Sequence, residues 1–178
     1  MKKLNIGCGK RNFGDEWLHI DGGDFTHLDH NNIFDFPYEK LDLIYASHLI
    51  EYFDRQEVLP LLKYWKTKLK PGGILRIAVP NFVAWCDLYK ETNDISLVLG
   101  PLYGKWPMKN KIIYHKTAYD ESSLSEVLSL AGFSNVRFWD WREVDHGKFD
   151  DHSQSYYPHM DKTEGRLMSL NMEAENVV

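Results

Sequence analysis

The residues of this chain best arranged for chemistry stand at its start. The apolar run Leu4-Asn5-Ile6 breaks into Gly7-Cys8-Gly9, and a second run, Trp17-Leu18-His19-Ile20, ends on Asp21-Gly22-Gly23. A strand that stops at Gly-x-Gly leads into a loop where backbone alone can approach a ligand. A carboxylate at the tip of the neighbouring parallel strand can accept both hydroxyls of a ribose. Together these residues predict a site for a nucleoside-bearing cofactor.

Other reactive side chains carry less pattern. Asp145, His146, Asp150, Asp151, His152 and His159 crowd one stretch, but their spacing fits no metal motif. They read as a solvated loop, with binding of sugar hydroxyls as the alternative. Asp24, His27, Asp29 and His30 read as a polar loop over the cofactor's edge. Cys8 has no base and orienter at the spacing of a cysteine nucleophile and reads as a packing residue. Lys105, Lys109 and Lys111 share one Gly- and Pro-containing loop and read as solvated. A nicotinamide dinucleotide site would need a third glycine opening a helix; Asn12 occupies that position.

The elements that must position these residues are short apolar segments bounded by Gly, Pro or Asp. They predict strands over 3–6, 17–20, 41–46 and 74–79, with both faces covered, as in a parallel sheet. A helix ends at Leu69, with Val58, Leu62, Trp65 and Leu69 on one face and Asp54 and Glu57 at capping-box spacing. Pro60 either kinks its first turn or marks its regular start. Lys70-Pro71-Gly72-Gly73 reads as a helix stop and turn. Asn81 caps a helix through Tyr89, and Ser123 with Glu126 forms a second capping box closed by Gly132. Residues 136–139 and 167–172 read as the last strands. Residues 100–111 read as a loop or flap, and 143–165 as a long loop. Alternating strands and helices predict a doubly wound, mostly parallel α/β sheet. Between Gly9 and Trp17 there is no room for the usual crossover helix, so the first crossover is a loop or a single turn.

At 178 residues the chain reads as a single domain with a sizeable core, 43% hydrophobic and 26% charged. A net charge of −5 argues against general affinity for nucleic acid. No apolar stretch approaches a membrane span, and no signal peptide is recognised. Cys8 and Cys86 make no disulfide framework, which predicts a reducing, cytoplasmic compartment. Aromatics reach 14%, many in the second half, where a binding surface could be built.

Four segments in order resemble the class I S-adenosylmethionine-dependent methyltransferases. They are Leu4-Asn5-Ile6-Gly7-Cys8-Gly9, Asp21, Leu41-Asp42-Leu43-Ile44-Tyr45-Ala46-Ser47-His48 and Leu69-Lys70-Pro71-Gly72-Gly73. They match the first, second, fourth and fifth strands of that Rossmann-like fold. His115, followed by Leu124 and Ala131-Gly132-Phe133, resembles a later segment, so the likeness covers residues 1–140. The chain is also similar to a compact subgroup associated with sugar and surface-polysaccharide pathways.

The resemblance implies roles by position. Residues 1–80 would form the cofactor half. Gly7, Cys8 and Gly9 would meet the methionine part of S-adenosylmethionine, with Asn5 where the family usually has an acid. Asp21 would hold the ribose and Gly22 let adenosine lie close. Asn32 and Ile33 fall where the family reads adenine, Asn32 again replacing an acid. Ala46, Ser47 and His48 would end the fourth strand beside the methyl group, and Tyr52 stands where relatives often have His. Methyl transfer needs the nucleophile held in line, ~3 Å from the methyl carbon. A hydroxyl acceptor also gains from a base, for which His48 is the first candidate and His115 the second. The expected function is methyl transfer to a small-molecule or saccharide acceptor, entering between the 100–111 flap and the 143–165 loop. The alternative is a non-catalytic, methyltransferase-like binding module. Neither nucleic acid nor membrane is an expected partner, and no metal is expected.

Overall fold

A computed structural model of the chain describes residues 1–177. At its centre is a six-stranded sheet of order β2-β1-β3-β4-β10-β7. Strands β1 (Lys3–Ile6), β2 (Trp17–Ile20), β3 (Leu41–Ser47) and β4 (Leu69–Pro80) run parallel. β10 (Ser169–Glu175) lies antiparallel between β4 and β7 (Ser134–Phe138). Register decides the site: Ile6 sits opposite both Ile20 and Ala46, and Ser47 opposite Ala78. The strands therefore end level, and Gly7, Asp21, His48 and Asn81 emerge along one edge. The first crossover holds no helix, as the spacing predicts.

One face of the sheet is covered by α1 (Arg55–Lys68) and α4 (Glu121–Leu130), which pack on Leu4, Ile6, Ile44 and Ile77. The Asp54–Glu57 capping box closes the start of α1. Pro60 lies inside that helix without ending it; its position is exposed, so the carbonyl it leaves unbonded faces water. Leu69 is not the last helical residue but pairs with Leu41 as the first of β4. Residues 70–73 bulge between that pair and Leu43–Ile74, held by the Asn176 main chain and side chain.

Three further segments differ from the sequence reading in their secondary structure. Residues 100–111 are not a loop: they span the end of α3 (Ser96–Tyr103) and much of a hairpin of β5 (Trp106–Met108) and β6 (Lys111–Ile113). Gly100 and Pro101 mask the helix, which forms because Leu97 packs on α2 (Phe82–Thr92) beside Ala84 and Leu88. The second capping box is Asp120 with Ser123, one turn earlier than Ser123 with Glu126, because the Asp120 carboxylate takes the Ser123 amide. The final strand divides at Met168, whose amide bonds to Ser155, so β8 (Tyr156–Tyr157) pairs with β9 (Arg166–Leu167) before β10 begins.

The other face of the sheet is covered not by α-helices but by aromatic side chains, some of them on single 3-10 turns at Trp141–Glu143 and Asp145–Lys148. Phe13, Trp17, Tyr45 and Trp139 pack there with Trp141, Val144 and Phe149. The 143–165 stretch is largely irregular, as expected, but much of it is packed rather than solvated. His146, Asp151, Ser153 and Gln154 are all buried. Among the described residues no helix is long and apolar enough to cross a membrane.

Candidate functional site

The edge where the parallel strands end carries a cavity of about 380 Å³, walled by Gly7, Gly9, Asp21, Ser47, His48 and His115. A second groove of about 900 Å³, lined by Gly22, Asn32, Ile33 and Phe34, shares Asp21, Leu49, Tyr52, Met108 and Ile113 with it. The two adjoin at these residues as a two-part depression lined on one side by the β5–β6 hairpin.

Asp21 fixes the floor. One carboxylate oxygen accepts the Gly9 amide at 2.9 Å and the other the Gly23 amide at 2.7 Å. The acid that ends β2 thus ties the loop after β1 to the loop after β2, and its remaining lone pairs stay available to a ligand. Gly7 has φ +71°, and a Cβ there would stand 2.6 Å from Leu49. Only glycine suits this position without strain.

The structure brings Gly7, Gly9, Asp21, Gly22, Asn32, Ile33, Ser47, His48 and His115 to this depression. Asn5, Cys8 and Ala46 are buried behind it. Burial, reinforced by Asp21, pushes the Cys8 thiol up to about 12 and keeps it protonated. The Asn32 side chain accepts the Phe34 amide at 2.9 Å, which shapes the turn at the groove's rim.

His48 follows β3 in the left-handed region, with φ +49°. Its Nδ1 lies 3.7 Å from a Glu51 carboxyl oxygen, and its Nε2 lies 3.3 Å from Ser169 Oγ. His115 Nδ1 stands 2.9 Å from the Pro101 carbonyl, and its Nε2 lies 3.8 Å from the same Glu51 oxygen. Gly104 packs against that ring so closely that a Cβ would sit 2.3 Å from Nε2. Tyr52 meets the ring edge-on at 4.6 Å between centroids. Burial holds both histidines below the usual imidazole range, His48 well below. Burial pushes Glu51 up to about 8. Two neutral imidazoles therefore converge on one buried carboxyl at the cavity wall, an arrangement able to accept a proton.

Sequence reasoning missed Glu51. Its signal was the His48-x-x-Glu51 spacing, which a single turn over Ile50–Tyr52 brings together. It also missed Arg11, Trp106, Met108 and the part played by His152, all in the cavity wall. Of the six Asp and His candidates in the polar stretch 145–159, His152 alone lines the cavity, 5.1 Å from the His48 ring, and Ser155 lines it beside His152. The Asp150 carboxylate pairs with Lys162, while His146 and Asp151 belong to the packed face. Of residues 24–30, Asp29 accepts the His19 amide and Asp24 pairs with Lys109. Lys105 lines the cavity and Lys111 the groove. Among the described residues no group of three or more His, Cys, Asp or Glu is placed to hold a metal ion.

No family model matches the sequence, and no curated protein matches it. Solved structures match the fold. An S-adenosylmethionine-dependent methyltransferase from Archaeoglobus fulgidus superposes with a TM-score of 0.58 at 16% identity, over 98% of this chain and 85% of its own. One from Methanosarcina mazei gives 0.58 at 14%, over 99% and 92%. The Burkholderia thailandensis 1,6-didemethyltoxoflavin-N1-methyltransferase, solved with that compound and S-adenosylhomocysteine bound, gives 0.55 at 12%, over 99% and 71%. The chain has the Rossmann-like fold that these methyltransferases share.

Proposed function

We propose that the chain is an S-adenosylmethionine-dependent methyltransferase whose acceptor is a small molecule or a glycan. The observation that carries this reading is Asp21: an acid at the end of β2, bonded to the amides of both glycine loops and lining both the cavity and the groove. The residues fit the cofactor. Asp21 would take the ribose hydroxyls, the Gly7–Gly9 backbone the methionine part, and Gly22, Asn32 and Ile33 the adenine end. Asn5 and Cys8, being buried, would shape the loop from behind, and Ala46 would back the wall at Ser47.

When bound, S-adenosylmethionine would supply an electrophilic methyl carbon, and an acceptor hydroxyl taking that methyl group would have a proton to give up. His48 and His115 stand in the wall where such a proton can be received. Trp85 and Trp106 add aromatic faces to the same wall, which suits the apolar faces of a sugar or a planar small molecule. The Burkholderia thailandensis neighbour, named for a small-molecule substrate, supports the same class of acceptor. The free cysteines Cys8 and Cys86 support a reducing, cytoplasmic compartment.

Incubation with S-adenosylmethionine labelled in its methyl group and a panel of saccharides and small hydroxyl compounds tests the reading. Label is expected to pass to at least one acceptor, and the passage to fail in Asp21→Ala. Cofactor binding without transfer to any acceptor would replace the enzyme with a binding module.

A further inference from the structure

Hydrogen-bond chains fix the protons around Glu51. The Asn171 side-chain NH₂ donates to the Ser153 carbonyl at 2.9 Å, which leaves Asn171 Oδ1 to accept the Ser169 hydroxyl at 2.8 Å. Ser169 Oγ has two acceptors for its one proton, Asn171 Oδ1 and the more distant Val79 carbonyl at 3.4 Å, so it accepts from His48 Nε2 at 3.3 Å. His48 is therefore protonated on Nε2 and bare on Nδ1, the atom facing Glu51. His115 must carry its proton on Nδ1, because a carbonyl can only accept, and is bare on Nε2. Two unprotonated nitrogens thus lie 3.7 and 3.8 Å from one carboxyl oxygen, just outside hydrogen-bond reach, and neither carboxyl oxygen has a hydrogen-bond partner of its own. Thr117 Oγ1 and Tyr119 Oη nearby are buried and unpartnered as well. Buried polar groups left open in this way call for an explanation in function.

We propose that Glu51, His48 and His115 form a three-centre cluster sharing one mobile proton, and that it takes up the proton an acceptor hydroxyl loses on methylation. This rests on the methyltransferase reading above and narrows its acceptor to a hydroxyl compound. His48 and His115 face the cavity, while Glu51 behind them is a positioning residue that sets how many protons they hold. At neutral pH burial keeps the proton on Glu51 and both imidazoles neutral. The other titratable groups around the cluster are Tyr52, Tyr119 and His152, all neutral, and Arg11, whose charge further disfavours a cationic His48. With Glu51 ionised the cluster has room for one proton and becomes neutral on receiving it. The incoming proton comes from the acceptor O–H, whose bonding pair stays on oxygen, so no further reactant is needed.

A cation in the cavity favours the ionised carboxyl, so its binding expels the shared proton. S-adenosylmethionine carries a sulfonium charge that S-adenosylhomocysteine lacks, while both share the same ammonium and carboxylate. Calorimetric titration of each near neutral pH, in two buffers of different protonation enthalpy, counts the protons released. The wild type is expected to release a larger fraction of a proton with S-adenosylmethionine than with S-adenosylhomocysteine. In Glu51→Gln both ligands are expected to bind with that difference gone. Equal release by the wild type, or a difference that survives in Glu51→Gln, overturns the cluster while leaving the cofactor site standing. Failure of the wild type to bind either ligand overturns the cofactor reading, and the cluster with it. If Glu51→Gln does not fold, the imidazole ¹⁵N shifts of the wild type decide: His48 bare on Nδ1 and His115 bare on Nε2 are expected, and the opposite tautomer on either overturns the cluster.

Discussion

Among the buried polar side chains of this fold, two groups close their hydrogen bonds differently. On the aromatic face of the sheet, Tyr45 donates to Asp151 at 2.6 Å, and Asp151 also accepts the Ser153 amide and hydroxyl. Arg76 donates to Glu173 through two nitrogens and to His146 at 3.1 Å, while Arg137 takes the other Glu173 oxygen. Around the cavity wall, a Glu51 carboxyl oxygen lies 3.7 and 3.8 Å from imidazole nitrogens of His48 and His115 with no hydrogen-bond partner, and Ser47, Thr117 and Tyr119 keep buried hydroxyls unpartnered. A satisfied network rigidifies the structure around it, while an open one retains the capacity to take a proton. The first pins the irregular 140–154 segment onto β3 and β4; the second lies behind the wall where chemistry is proposed.

Breaking the closed network gives the largest expected effect. Arg76→Met leaves Glu173 partly unpaired and His146 without its donor, and is expected to cost about 3 kcal/mol in denaturant unfolding. A loss under about 1 kcal/mol would dissolve the contrast. Glu51→Gln is expected to act in the opposite direction. Glu51 in the folded chain lies near 8 against an ordinary 4.5, so its contribution to stability is complete below about pH 4.5 and is lost as pH rises toward 8. Glutamine does not titrate. The variant is expected to exceed the wild type by about 2 kcal/mol at pH 8 and by almost nothing at pH 4.5, as urea melts at both would show.

The histidines give an effect of opposite sign in pH. Burial and the neighbouring Arg76 and Lys3 push His146 down to about 3, and His48, His115 and His152 are also lowered. Each must stay neutral in the fold, so stability is expected to fall as pH drops below about 6.5. His146→Phe, which keeps the stack on Phe13, should lessen the stability lost between pH 7 and pH 5 by about 1 kcal/mol. An unchanged acid midpoint would count against that assignment. The smallest effect is expected at the hairpin. Met108→Ala removes the side chain facing Gly22 across the depression and should weaken cofactor binding about fivefold, or ~1 kcal/mol, without altering thermal unfolding of the free protein.

What the sequence disclosed, and what it concealed, follows the same division between local and non-local causes. Gly7, Gly9, Asp21 and the short crossover are legible because each depends on a break in an apolar run within a few residues. Asp54 and Glu57 announce α1 for the same reason. The α3 helix is not legible, since Gly100 and Pro101 oppose it and contacts with α2 decide the matter. The 143–165 stretch reads as solvated because its letters are polar. The partners that bury it, Tyr45, Arg76 and Asn171, stand on strands far away in sequence. Glu51 is hidden for a further reason: what distinguishes it is the absence of a partner, which no local pattern encodes.

The central claim is that the depression at Asp21 binds S-adenosylmethionine, and thermal unfolding tests it most directly. Ligand at about a hundred times its dissociation constant adds ~2.7 kcal/mol, a shift of several degrees. The account predicts that shift with S-adenosylmethionine and S-adenosylhomocysteine, none with NAD, and its loss in Asp21→Ala. A folded wild-type protein that melts at the same temperature with all three would contradict it.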